Sequence, residues 1–195
     1  MIVFNTLLLG LAGNIGVAAY SVIANLSLVV ISIYTGIAQG IQPIVSSNFG
    51  KGNRKHVEAI LRYALIAAAA VSVLVYGVVF FGAEGIVSVF NSEQNAQLQE
   101  IAVTGMKIYF TACIFAGFNI IVAVYFTATE HALPAHIISL LRGFAVMIPM
   151  ALALSAAGIL GVWSAFPATE LLVAFLGAIL LLKRKKSHPS GVSVL

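Results

Sequence analysis

Five largely apolar stretches divide this chain, each longer than the ~20 residues a helix needs to cross a bilayer. They are Val17–Val45, Ala59–Gly82, Ile101–Ala128, Pro134–Ala157 and Leu160–Leu182. Composition closes off a soluble alternative. The chain is 61% hydrophobic and 8% charged, against ~45–50% and ~25% in a soluble domain. It has six Glu and no Asp, too few charges to cover a water-facing surface. The expected fold is an all-α membrane protein, a polytopic helical bundle.

A sixth stretch, Ile2–Leu11, is shorter. At helical rise it covers ~15 Å, about half of the hydrocarbon core. It reads as the second half of a helix whose first half is missing. Ala12-Gly13-Asn14-Ile15-Gly16 then makes a tight turn, with glycines for the permissive backbone and Asn14 tolerant of a left-handed conformation.

Loop charge sets a direction. Lys51, Arg54, Lys55 and Arg62 follow the first full span, and Lys183, Arg184, Lys185 and Lys186 follow the last. The segment 83–100 carries Glu84, Glu93 and Glu100 without Lys or Arg. Positive charge stays on the cytoplasmic side, so loop 46–58 and the polar tail 187–195 are expected inside and 83–100 outside. Asn53 is placed to cap the next helix, with Glu58 and Arg62 at i,i+4 on its first turn. Residues 1–186 form a single transmembrane lobe in this reading.

Polar residues within the spans are the functional candidates, because an amide in hydrocarbon is costly unless something binds it. Ser21, Asn25, Ser32, Gly36, Gln39 and Pro43 recur at spacings of three, four or seven, which puts them on one helix face. Such a face either packs on another helix or lines a cavity. Gln39 and Gln42 are longer than tight packing needs, and Pro43 is expected to break the helix beside them. The span 101–128 adds Tyr109 and Asn119 to the cavity candidates, with Phe110, Phe115 and Phe118 around Asn119. An aromatic wall with amides suits a lipophilic cation, and the same rings also suit ordinary helix packing. Lys107 is expected to snorkel to the outer headgroups. Arg142 either snorkels to the interface or pairs with Glu130, and a structural ion pair or phosphate contact is favoured over a transport role. Glu170 lies deep in the last span and is a candidate proton or cation site, unless it is a packing acid bonded to a neighbour.

Other chemistries find no support. The four histidines lack metal-ligand spacing, and no nucleophile–His–acid grouping or phosphate-cradling glycine loop is present. The net charge of +4 is distributed as membrane-loop clusters and not as a nucleic-acid surface. A single cysteine, Cys113, excludes an intrachain disulfide and reads as a packed thiol. No signal peptide is recognised.

The run AGNIGVAAYSVIANLSLVVISIYTGIAQGIQPIVSSNFGKGN resembles the start of the C-terminal lobe of multidrug and toxic compound extrusion (MATE) transporters, and GILGVWSAFPATELL resembles its end. The bacterial DinF-like and MepA-like branch is the most similar. The resemblance implies two six-helix lobes around a central cavity, with this chain as one lobe whose first helix is truncated. It implies export of organic cations or drugs by alternating access, driven by H⁺ or Na⁺ and with no other cofactor, in the bacterial plasma membrane. The partner implied is the N-terminal lobe or a second copy. Gln39, Gln42 and Pro43 fall on the family's glutamine-proline motif; Asn48, Gly50, Gly52 and Asn53 on its cytoplasmic loop; Pro167 and Glu170 on the motif of the last helix. The alternatives are a flippase for lipid-linked or polysaccharide substrates, which would want several cationic residues in the cavity, and an inactive membrane fragment.

Overall fold

Gly13 shapes the first element. The computed structural model describes residues 2–187, and α1 (Ile2–Gly50) is helical throughout except at Gly13, with φ 62° and ψ −153°. That backbone region is essentially open to glycine alone. Phe4 stacks on Tyr20 with ring centroids 5.2 Å apart. In a straight helix those two positions would stand ~24 Å apart, so the chain reverses at Gly13 and a short arm packs back on a long one. The expected five-residue turn is thus made by one residue. Asn14 and Gly16 are helical; Gly16 serves a close approach, since a Cβ there would meet Leu8 O at 2.9 Å.

The remaining elements are α2 (Arg54–Phe90), α3 (Ala96–Tyr109), α4 (Cys113–Ala128), α5 (Ala132–Leu140), α6 (Met147–Ser155) and α7 (Ile159–Ser187). A 3₁₀ turn, Phe110–Ala112, joins α3 to α4 within one span. Five helical runs are long and apolar enough to cross a membrane, the first of them folded at Gly13. The chain is an all-helical, multi-pass bundle.

Both polar connections are shorter than expected. α2 continues through Ile86, Val87 and Phe90, so the loop at 83–100 contracts to 91–95. Two asparagines close it. Asn91 Oδ1 accepts from Asn95 N at 3.0 Å, and Asn95 Oδ1 accepts from Leu98 N at 3.0 Å, capping α3. Gln99 Nε2 ties α3 to α2 by donating to Glu84 O at 2.8 Å. At the opposite end α1 runs to Gly50 and the loop at 46–58 contracts to 51–53. The Asn53 side chain does not cap α2, and Glu58 and Arg62 form no ion pair; Arg62 lies over Tyr63 instead. Ser187, assigned to the tail, ends α7, and 188–195 lies outside the described residues.

Pro43 does not break α1. Its ring costs the helix one backbone hydrogen bond. It lies on the exposed face, while Tyr34, Ala38 and Val45 hold the opposite face in the core. The span expected as one helix at 134–157 is interrupted. Leu141–Ala145 is a π turn, with Val146 N donating to Leu141 O at 3.0 Å.

α3 and α4 occupy the middle of the bundle, against α1, α2 and α7. Trp163 on α7 seats over Gly105 on α3, where an added Cβ would lie 2.6 Å from the indole. The turns at 51–53 and 129–131 and the end of α7 meet at one end: His131 stands edge-on to Phe49, and Arg184 stands over the same ring. This is the basic end. Gly13 and the turns at 91–95 and 156–158 belong to the other.

Candidate functional site

The long arm of α1 buries one side and leaves the other open. Ala24, Ser27, Val30, Tyr34 and Ala38 face the core. Ser21, Asn25, Ser32, Gly36, Gln39 and Pro43 are all exposed on one face, where Leu28, also exposed, stands between Asn25 and Ser32. Gln42 is half-buried at its edge. The hydroxyls turn back on their own helix: Ser21 Oγ donates to Val17 O at 3.0 Å and Ser32 Oγ to Leu28 O at 2.8 Å. An added Cβ at Gly36 or Gly40 would meet nothing within 4 Å among the described residues. A polar, glycine-bearing strip along a spanning helix is unsuited to acyl chains. It suits a second protein surface or a water-filled cavity.

The other two cavity candidates lie elsewhere. Tyr109 is buried and stacks on Phe166 of α7, centroids 4.4 Å apart. It lines a narrow apolar cleft with Ser27, Tyr34, Phe110 and Cys113. Tyr34 hydrogen-bonds Ser72 across α1 and α2 at 2.8 Å. Lys107 sits over Phe80 on α2, 5.3 Å from the ring centroid.

Asn119 is fully buried and belongs to a third group that sequence spacing did not connect. Its Nδ2 donates to Glu170 Oε2 at 2.7 Å and to Glu170 O at 2.9 Å. Arg142 donates to Glu170 Oε1 through Nε at 3.1 Å and Nη2 at 2.8 Å. Arg142 therefore pairs with Glu170, 28 positions away, and not with Glu130, which is exposed in the turn after α4. The π turn explains the reach. It adds a residue to the helical turn at Leu141–Ala145 and so changes which positions of this span face α7. Glu170 is 1% exposed. Its two oxygens take three side-chain bonds, while Asn119 Oδ1 has no partner among the described residues. The arrangement sets a guanidinium against one oxygen of a carboxylate in the middle of a span and an amide against the other, so that neither oxygen is left without a donor.

A family model described as MatE matches residues 1–153. The multidrug export protein MepA of Staphylococcus aureus (strain MSSA476) is 26% identical over 161 residues, which is 82% of this chain and 35% of MepA. The chain thus spans about a third of the length of the curated relatives it matches. Among solved structures, the outward-facing conformation of a multidrug resistance MATE family transporter of the MOP superfamily superposes with a TM-score of 0.88 at 16% identity. That match covers 96% of this chain and 42% of that one. The inward-facing conformation superposes with the same TM-score, over 95% and 43%.

Proposed function

The chain belongs to the MatE family, and on that premise we propose that it forms the C-terminal lobe of a multi-pass transporter that exports organic cations or drugs by alternating access. The observation that carries this reading is the open face of α1: Asn25, Ser32 and Gln39 exposed, Gln42 at the edge, with no core element against them among the described residues. In the assembled transporter this face would line the cavity shared with the N-terminal lobe or a second copy. Similarity to multidrug export relatives supports the substrate class. The equal fit to outward-facing and inward-facing structures supports lobes that move as units, with access changing between them.

Charge distribution favours a cationic or neutral substrate over the anionic one a lipid-linked flippase would carry. The two basic side chains deep in the spans are engaged, Arg142 by Glu170 and Lys107 by the Phe80 ring. None lies on the α1 stripe. In the same reading Glu170 is the site of coupling to H⁺ or Na⁺, with Asn119 beside it. Taking up the cation then requires Arg142 to release Oε1. Tyr109 contributes through the internal cleft. The membrane is the bacterial plasma membrane, with the basic end of the bundle cytoplasmic by the positive-inside rule.

The test is Gln39→Ala in the complete transporter, expressed in an export-deficient cell and read as accumulation of an ethidium-like cation. Accumulation should rise while the protein remains in the membrane at its usual level. Unchanged accumulation would remove Gln39 from the cavity.

A further inference from the structure

Phe49, at the C-terminal end of α1, gathers two arginines from different helices. The Arg54 guanidinium carbon stands 4.3 Å from the ring centroid, and that of Arg184 stands 5.8 Å from it. Arg184 also lies 4.8 Å from the centre of the Tyr125 ring on α4. Two like charges around one ring repel, and neither forms an ion pair with a carboxylate among the described residues. Arg184 interacts with the Tyr125 side chain, but its Nη1 is buried with no hydrogen-bond partner among the described residues. A buried guanidinium N–H without an acceptor is costly. Among the described residues no anion is bonded to the pair.

We propose that Arg54 and Arg184, assembled on Phe49 and Tyr125, bind the phosphodiester of an anionic phospholipid at the basic end of the bundle. Depth selects a lipid as the source of that phosphate. Arg54 and Arg184 lie just beyond the apolar stretches 59–82 and 160–182, and ~20 apolar residues suffice to cross the hydrocarbon, so both fall at headgroup level. Ile44 and Leu182, each within two turns of the site, are exposed and offer surface to acyl chains. Lys51 and Lys55 add positive potential nearby. Glu58, one turn after Arg54, is the acid on this side: its charge reaches Tyr125 as those of Arg184 and Arg54 do, and it is exposed and forms no ion pair among the described residues. The planar forks of arginine fit a phosphate in a way that lysine does not.

Native mass spectrometry of the detergent-purified 195-residue chain tests this, with phosphatidylglycerol as probe, phosphatidylcholine as reference and inorganic phosphate as competitor. Wild type should retain phosphatidylglycerol in preference to phosphatidylcholine, and inorganic phosphate should not displace it. Arg54→Gln/Arg184→Gln should weaken retention about tenfold or more, the scale of a lost charge-assisted bond. Arg54→Lys/Arg184→Lys preserves the charge and guards against a folding defect; it should still weaken retention about threefold through loss of the planar fork. Lys51→Gln/Lys55→Gln, which removes only surrounding potential, should weaken retention less than Arg54→Gln/Arg184→Gln does. Equal retention of both lipids, displacement by free phosphate, undiminished binding by the lysine-for-arginine variant, or an equal loss in the Lys51/Lys55 variant would each overturn the proposal.

Discussion

Arg142 and Glu170 meet on a single oxygen: both guanidinium donors reach Oε1, and Oε2 is left to Asn119. This joins the π turn after α5 to the middle of α7 and to the central helix α4. An ion pair in a spanning segment removes two charges from hydrocarbon together, whereas breaking it strands one of them.

Removal of either partner alone should therefore destabilise the lobe by about 3–5 kcal/mol, while Arg142→Met/Glu170→Leu should be much less harmful than the sum of the single changes. Unfolding midpoints of the four proteins in detergent form the cycle. Additive losses would show that the pair is not coupled.

Glycine positions separate contact from exposure. Gly161→Ala drives a Cβ to 1.8 Å from Leu154 O, a backbone atom that cannot swing aside. Gly105→Ala meets Trp163, itself 1% exposed, at 2.6 Å. Each should lower stability by about 1–3 kcal/mol, Gly161→Ala the more severely. Gly40→Ala, with open space around it, should stay within about 0.5 kcal/mol. Thermal melts that rank Gly40→Ala with the other two would contradict the packing.

Gly36→Phe probes the uncovered face by bulk. An added Cβ at Gly36 would meet nothing within 4 Å among the described residues, so the melting behaviour should be unchanged. In the complete transporter the ring would fill part of the cavity, and export should fall about tenfold or more, the effect of ~1.4 kcal/mol on substrate binding. Full export by a well-expressed variant would place this face away from the substrate route.

Pro43→Ala restores the N–H that α1 lacks without displacing any core side chain, because Pro43 is exposed. The isolated lobe should gain about 1–3 kcal/mol. If the same variant loses transport, the weakened turn serves the bending of α1 during the cycle. A lobe no more stable than wild type would mean that the missing bond is already compensated.

Helical periodicity placed Ser21, Asn25, Ser32, Gly36, Gln39 and Pro43 on one face, and the structure shows that face as a single exposed strip. It worked because the residues lie on one helix, where spacing alone sets direction. Span boundaries were legible to within a turn at Val17 and Leu160. They failed at Gly82, where apolar residues persist beyond the required length and the asparagines that end the run act through side-chain bonds. Asn91 and Asn95, bracketing a short polar stretch between apolar runs, were the available signal.

By itself, then, the sequence determined the all-helical membrane class, the reversal at Gly13 and the polar face of α1, since each depends on local composition or on one helix's period. Tertiary structure alone decided that Asn119 belongs with Glu170 and not with Gln39, that Arg142 pairs with Glu170, and that Arg54 and Arg184 share Phe49. These residues come together across separate helices. Helix rotation and crossing depend on how the whole bundle packs, and a π turn of one added residue is enough to change which side chain reaches its partner.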